Sequence, residues 1–187
     1  MLAIVVVLGC SRKPVPNSKE PSPEVSSSAA NSNGSEELLT VIRESSRLSG
    51  MPLDTLADKR AFLTAGRDMV TRAHEILNDK HKCRKMETSG FALEQPRALM
   101  RLFYLGADVA TADSQPKDAA ELCLDLTRLG TVIANSTGLE GYDMGIACHI
   151  IAVEKLEPLC NVLDTATCNR LIDTLDREFA RLDSAET

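Results

Sequence analysis

The chain has no tryptophan, two tyrosines and four phenylalanines in its 187 residues. Its core must therefore be built from leucine, isoleucine, valine, alanine and methionine. An excess of positive charge is missing too. Twenty-one lysines and arginines stand against 27 aspartates and glutamates, a formal charge of −6. That balance argues against broad, non-specific nucleic-acid binding. The one basic cluster, KHKCRK at 80–85, carries no interleaved aromatics. It falls where a helix should end, and cations there complement the helix dipole. No nucleic-acid partner is expected.

A long apolar run is also absent. The N-terminal stretch MLAIVVVLG covers residues 1–9. As a helix it rises only about 14 Å, against a bilayer core of about 30 Å. It cannot span, but it has the character of a signal peptide's hydrophobic part. It runs into Val7-Leu8-Gly9-Cys10, which resembles a bacterial lipoprotein processing box. In such a box, small residues precede a cysteine that becomes the lipidated N-terminus. Here Val7 stands where leucine is commoner, and no lysine or arginine precedes the run. The resemblance implies lipid on Cys10, a membrane held through that lipid, and a place in the bacterial cell envelope. A cytoplasmic protein is the alternative. Residues 11–35, SRKPVPNSKEPSPEVSSSAANSNGS, are rich in serine, proline and asparagine, with two valines as the only large apolar residues. They bury too little surface to offset their ordering entropy and are expected to form a disordered tether. The domain division is thus 1–10 for the signal-like segment, 11–35 for the tether and 36–187 for a folded domain of ordinary size.

The cysteines follow no motif. Setting Cys10 aside leaves Cys83, Cys123, Cys148, Cys160 and Cys168, an odd number with no CxxC spacing. Cys123 and Cys148 sit in apolar helical stretches, where cysteine behaves as a small hydrophobe. Cys160 and Cys168 lie eight apart across an expected turn and could pair after export. The connectivity stays open.

What is present is helical periodicity. Six helices are expected, over 35–50, 54–78, 96–112, 116–134, 139–157 and 164–182, with Asp54 and Asp164 as N-caps and Pro96 and Pro116 in first turns. The fold class is all-α, with antiparallel helical hairpins forming a small bundle or a short tetratricopeptide-like array. The fifth helix contains MGIACHIIAV, residues 144–153, apolar on nearly all sides. A helix of that kind is expected at the centre, with Ile150 in its buried stripe. Ile172 and Phe179 belong to the expected inner face of the sixth. Arg128 is expected to project away from the Leu122-Leu126-Leu129 stripe.

The run from Pro96 to Leu159 resembles a group of all-helical bacterial proteins of planctomycete type. The pieces that carry the resemblance are Ala119-Ala120, Leu126, Arg128-Leu129-Gly130, Gly145-Ile146-Ala147, Ile151-Ala152 and Leu156. The resemblance implies a helical-hairpin fold and brings no activity with it. A tetratricopeptide array fits less well, because the hairpins start about 43 residues apart rather than 34 and its tryptophan and tyrosine positions are missing.

Chemistry-bearing patterns are few. The three histidines are His74, His81 and His149, and no HExxH motif, diiron Glu-x-x-His pattern, phosphate loop or nucleophile elbow occurs. His149 adjoins Cys148, but neighbours in a helix do not face one point. It reads as a core histidine. A ligand-binding or acid–base site around it is the alternative. His81 and Cys83 make two metal ligands, which do not complete a site. The acidic pairs Glu36-Glu37, Glu154/Glu157 and Glu121/Asp125 read as solvated surface carboxylates. No cofactor and no metal are expected. The sequence therefore points to a non-catalytic helical interaction or structural module, tethered to a membrane and able to meet a protein partner through a helical face. An enzyme or ligand-binding protein with its site near His149 is the competing class.

Overall fold

Helix ends follow local chemistry. A computed structural model describes residues 27–79, 96–136 and 138–183, and the regular structure among them is helical throughout. The elements are α1 (Ser27–Ser46), α2 (Leu56–Ala65), α3 (Arg67–Asn78), α4 (Pro96–Ala112), α5 (Pro116–Ala134), α6 (Gly138–Leu159) and α7 (Thr165–Asp183). The α1 helix begins inside the stretch read as tether, and Ser35 is already buried. Residues 1–26, with Cys10, and residues 80–95, with the basic cluster and Cys83, lie outside the described residues.

Thr55, rather than Asp54, caps α2. Its hydroxyl accepts from the Asp58 N–H at 3.1 Å, and its own N–H donates to the Asp58 carboxylate at 3.0 Å. The acid three residues on makes threonine the better cap, because two otherwise orphaned donors are then satisfied together. Asp164 accepts from the Thr167 N–H at 2.8 Å and caps α7 as expected. Between α4 and α5 the Gln115 N–H reaches Ala110 O (2.8 Å) and the Ser114 N–H reaches Thr111 O (3.1 Å). This is the Schellman pattern, with Ser114 at φ 58° in the left-handed place that glycine normally takes.

The single helix expected over 54–78 is two. The break falls at Gly66, whose backbone (φ −95°, ψ 3°) both ends α2 and begins α3. A Cβ there would run into the Leu102 side chain of α4. Leu102 of α4 thus packs closely over this glycine.

The centre of the bundle is α5, not the apolar fifth segment. It packs against α3, α4, α6 and α7. Leu124, Leu126, Leu129 and Ile133 on it are each no more than 1% exposed. Its sequence hides this burial behind polar letters. Thr127 and Thr131 are buried, but each hydroxyl donates to the carbonyl four residues back, Cys123 O and Thr127 O, so neither is left without a partner. The largest interface in the fold joins α5 to α6. There Gly130 and Gly145 let the two backbones meet. A Cβ on Gly145 would lie 2.5 Å from Gly130 O and 2.6 Å from the Ala134 Cβ.

The α6 helix, expected at the core, lies on the outside. Cys148, Ala152, Leu156 and Leu159 face inward, but Ile150 is 53% and Val153 41% exposed. On α7, Leu171 and Leu182 are buried, whereas Ile172 is 55% and Phe179 39% exposed, so the inner face predicted for that helix is only partly inner. Against the other side of the bundle, α1 lays Leu38, Val41 and Ile42 on α3 and α4. No described helix is long and apolar enough to cross a membrane.

Candidate functional site

Two neighbouring helices present apolar side chains to solvent. Along α6, Tyr142, Ile146, Ile150 and Val153 recur at helical spacing on one side, with Ile146 half-buried and the others exposed. Along α7, Ile172 and Phe179 lie seven residues apart, almost in register. The rings of His149 and Phe179 meet with centroids 4.9 Å apart, which sets these two edges toward each other. The opposite edge of α6 is fixed by Lys155, whose ammonium pairs with Asp108 of α4. The backbones do not close up. Among the described residues no Cα of α6 comes within 8 Å of one of α7, although both helices rest on α5. The outcome is an apolar face of two helices with His149 and Phe179 along its seam.

His149 itself is sealed, at 2% exposure. The Thr131 hydroxyl, which donates to Thr127 O, lies 3.3 Å from His149 Nε2 and can accept its proton. That assignment leaves Nδ1 as a bare acceptor, and it has no hydrogen-bond partner. Burial pushes the imidazole down to about 4. A neutral ring closed in by Phe179 is a core histidine.

A second polar cluster gathers round Asp125, a carboxylate expected at the surface. Asp125, on the central helix, is 1% exposed. One carboxylate oxygen accepts from His74 Nδ1 at 2.6 Å. The other accepts from Arg128 Nη1 at 2.8 Å and from the Asn78 amide at 3.1 Å. The hydrogen bond to Asp125 raises the His74 imidazole above its usual value, with burial opposing and the carboxylate's charge reinforcing the rise. Arg128, expected to project away from the Leu122-Leu126-Leu129 stripe, is only 14% exposed and lies on Asp125. The cluster ties α3 to α5. Its signal in the sequence was Asp125 three residues before Arg128 on a helix otherwise short of charge in its middle.

A cleft of about 350 Å³ opens where α2 and α3 meet α4 and α5, walled by Leu63, Val70, Leu102 and Leu122 with Arg67 and Asp118 among its polar lining. Of the other residues singled out, Glu36, Glu37, Glu154 and Glu157 are exposed, as expected. His81 lies outside the described residues, as Cys10 and Cys83 do. Cys123 and Cys148 are buried thiols pushed up to about 12 by desolvation. Cys160 and Cys168 are free, with Cys168 Sγ 3.8 Å from the Cys160 carbonyl. Among the described residues no group of three or more histidine, cysteine, aspartate or glutamate side chains converges as a metal site would require. Comparison with protein-family models, with curated proteins and with solved structures finds no match to this chain.

Proposed function

We propose that the chain is a helical interaction module, held at a bacterial membrane through lipid on Cys10 and meeting a protein partner through the α6–α7 face. The observation that carries this reading is that face. A bundle of this size buries most of its large aliphatic side chains, yet it leaves Tyr142, Ile150, Val153, Ile172 and Phe179 exposed on two adjacent helices. Large apolar side chains exposed together on neighbouring helices are the kind of surface that marks an interaction site. The lipid anchor is supported by Val7-Leu8-Gly9-Cys10 and the polar stretch after it.

The test has two arms. A photo-crosslinking amino acid placed at Ile150 or Ile172 in living cells should give a discrete adduct with another polypeptide, whereas the same group at exposed Glu75 on α3 should not. Labelled fatty acid should enter the wild-type chain, and Cys10→Ala should abolish the label. Absence of adducts at both apolar positions removes the interaction reading. An unlabelled, uncleaved wild-type chain removes the anchor.

A further inference from the structure

Among the described residues of α6 and α7, the charges beside the exposed apolar side chains are of one sign. On a helical wheel Asp143, Glu154 and Glu157 lie within about 40° of Ile150, and Asp176 lies about 60° from Phe179. All four are exposed. The cations of both helices are turned away. Lys155 is drawn to Asp108 on the α4 side. Arg170, Arg177 and Arg181 sit about 160° or more from Phe179, with Arg170 paired to Glu121 of α5 and Arg181 to Glu178. On α6, Asp143 and Glu154 border the stripe on the side away from Val153 and Glu157 stands at its C-terminal end; on α7, Asp176 borders it; and no lysine or arginine of α6 or α7 lies beside it.

Resting on the interaction reading above, we propose that this face docks a basic amphipathic helix of a protein partner. The partner's apolar stripe lies along Ile150, Val153, Ile172 and Phe179, and its lysines or arginines reach the acidic rims. From Tyr142 to Val153 the α6 stripe is about 17 Å long, or three turns, which suits a partner helix of about 12–14 residues. Charge decides among the occupants. A second copy of this chain would set acidic rim against acidic rim. An anionic lipid surface would be repelled in the same way. A cationic helix gains at both rims, and its association is steered by the field.

The test uses the full chain and three fluorescent 14-residue peptides that share one leucine stripe. Their polar face is lysine, glutamine or glutamate, and binding is read by anisotropy. The lysine peptide should bind at least tenfold more tightly than the glutamine peptide, and the glutamate peptide should bind least. Ile150→Ser and Ile172→Ser, at exposed positions, should each weaken the lysine peptide about tenfold and keep the wild-type circular dichroism. Glu154→Lys combined with Glu157→Lys should weaken it similarly, and Glu75→Lys on α3 should not. Equal binding of all three peptides overturns the charge selection but leaves an interaction face. Binding that ignores the two serine variants overturns the site. A dimer of the chain that the same serine variants dissolve makes a second copy the occupant and overturns the proposal. If no peptide binds, the proposal also falls, and the adducts at Ile150 and Ile172 decide separately whether the face has a different partner.

Discussion

Asp125 shows what one buried carboxylate asks of its surroundings. Removed from water, it is held by three donors: one imidazole, one guanidinium and one amide. Removing a single donor leaves a charge without full compensation. Arg128→Ala should therefore lower stability by about 1.5–3 kcal/mol, where a surface arginine would cost about 0.5 or less. In an Asp125→Asn background the same change should cost much less, and a double-mutant cycle by urea unfolding checks the difference. The two described histidines then set a pH dependence of opposite signs. His149 titrates at about 4 when folded, against 6.5 as its ordinary value. The unfolded chain takes up a proton that the folded chain refuses, so stability falls as pH drops from 6.5 toward 4. His74 is raised above 6.5, so its contribution is complete below that pH and is lost as pH climbs through its folded value. The urea midpoint should rise from pH 4 to about 6.5 and decline above it. His74→Gln should flatten the upper limb alone. A midpoint unchanged across this range would remove both assignments.

Between elements, the contact of α5 with α6 depends on the lack of side chains at Gly130 and Gly145. A methyl group on Gly145 meets the backbone carbonyl of Gly130, which cannot step aside as a leucine tip can. Gly145→Ala gains about 1 kcal/mol in helix propensity but should lose more through the forced separation, for a net loss of about 2 kcal/mol. Ile150→Ala, one turn further on but facing solvent, should stay within about 0.5 kcal/mol, while Leu129→Ala should cost about 2–5 kcal/mol. Denaturant midpoints of the three variants check that order. The same pair of helices shows where sequence reading succeeds and where it misleads. The long amphipathic stripes of α4, α5 and α7, with Pro96, Pro116 and Asp164 at their starts, placed these helices almost to the residue. The break at Gly66 is not legible in the sequence, because a single glycine interrupts a continuous stripe there and the Leu102 side chain that packs over it belongs to a different helix. The choice of central helix was inverted for a related reason. Apolar letters all round α6 suggest burial, yet among the described residues Ile150 stays half exposed, whereas α5 buries threonines whose hydroxyls are satisfied within the helix.

At the scale of the whole molecule, the all-α bundle was legible because its helices declare themselves locally, one period at a time. The α6–α7 face was not, because it exists only once α5 holds the two helices side by side without letting their backbones touch. Periodicity names which residues share a side of a helix, but only assembly decides whether that side is covered. The same holds for the acidic rims, whose carboxylates looked like ordinary solvated charges until the arginines of α7 proved to face the other way. The position of α5 has a further consequence, for the speed of assembly. Its two most extensive interfaces are with α4 and α6, its immediate neighbours along the chain. Closing each of them encloses only a few residues of connecting chain, so little loop entropy is spent before apolar contact begins. The docking of α1 on α4 bridges a much longer stretch. Local pairing of this kind favours fast formation of the α4–α5–α6 part of the bundle, whereas the packing of α1 and α7 closes later, longer loops. Hairpin pairing of neighbours along the chain is thus the shortest route by which α5 reaches its central place.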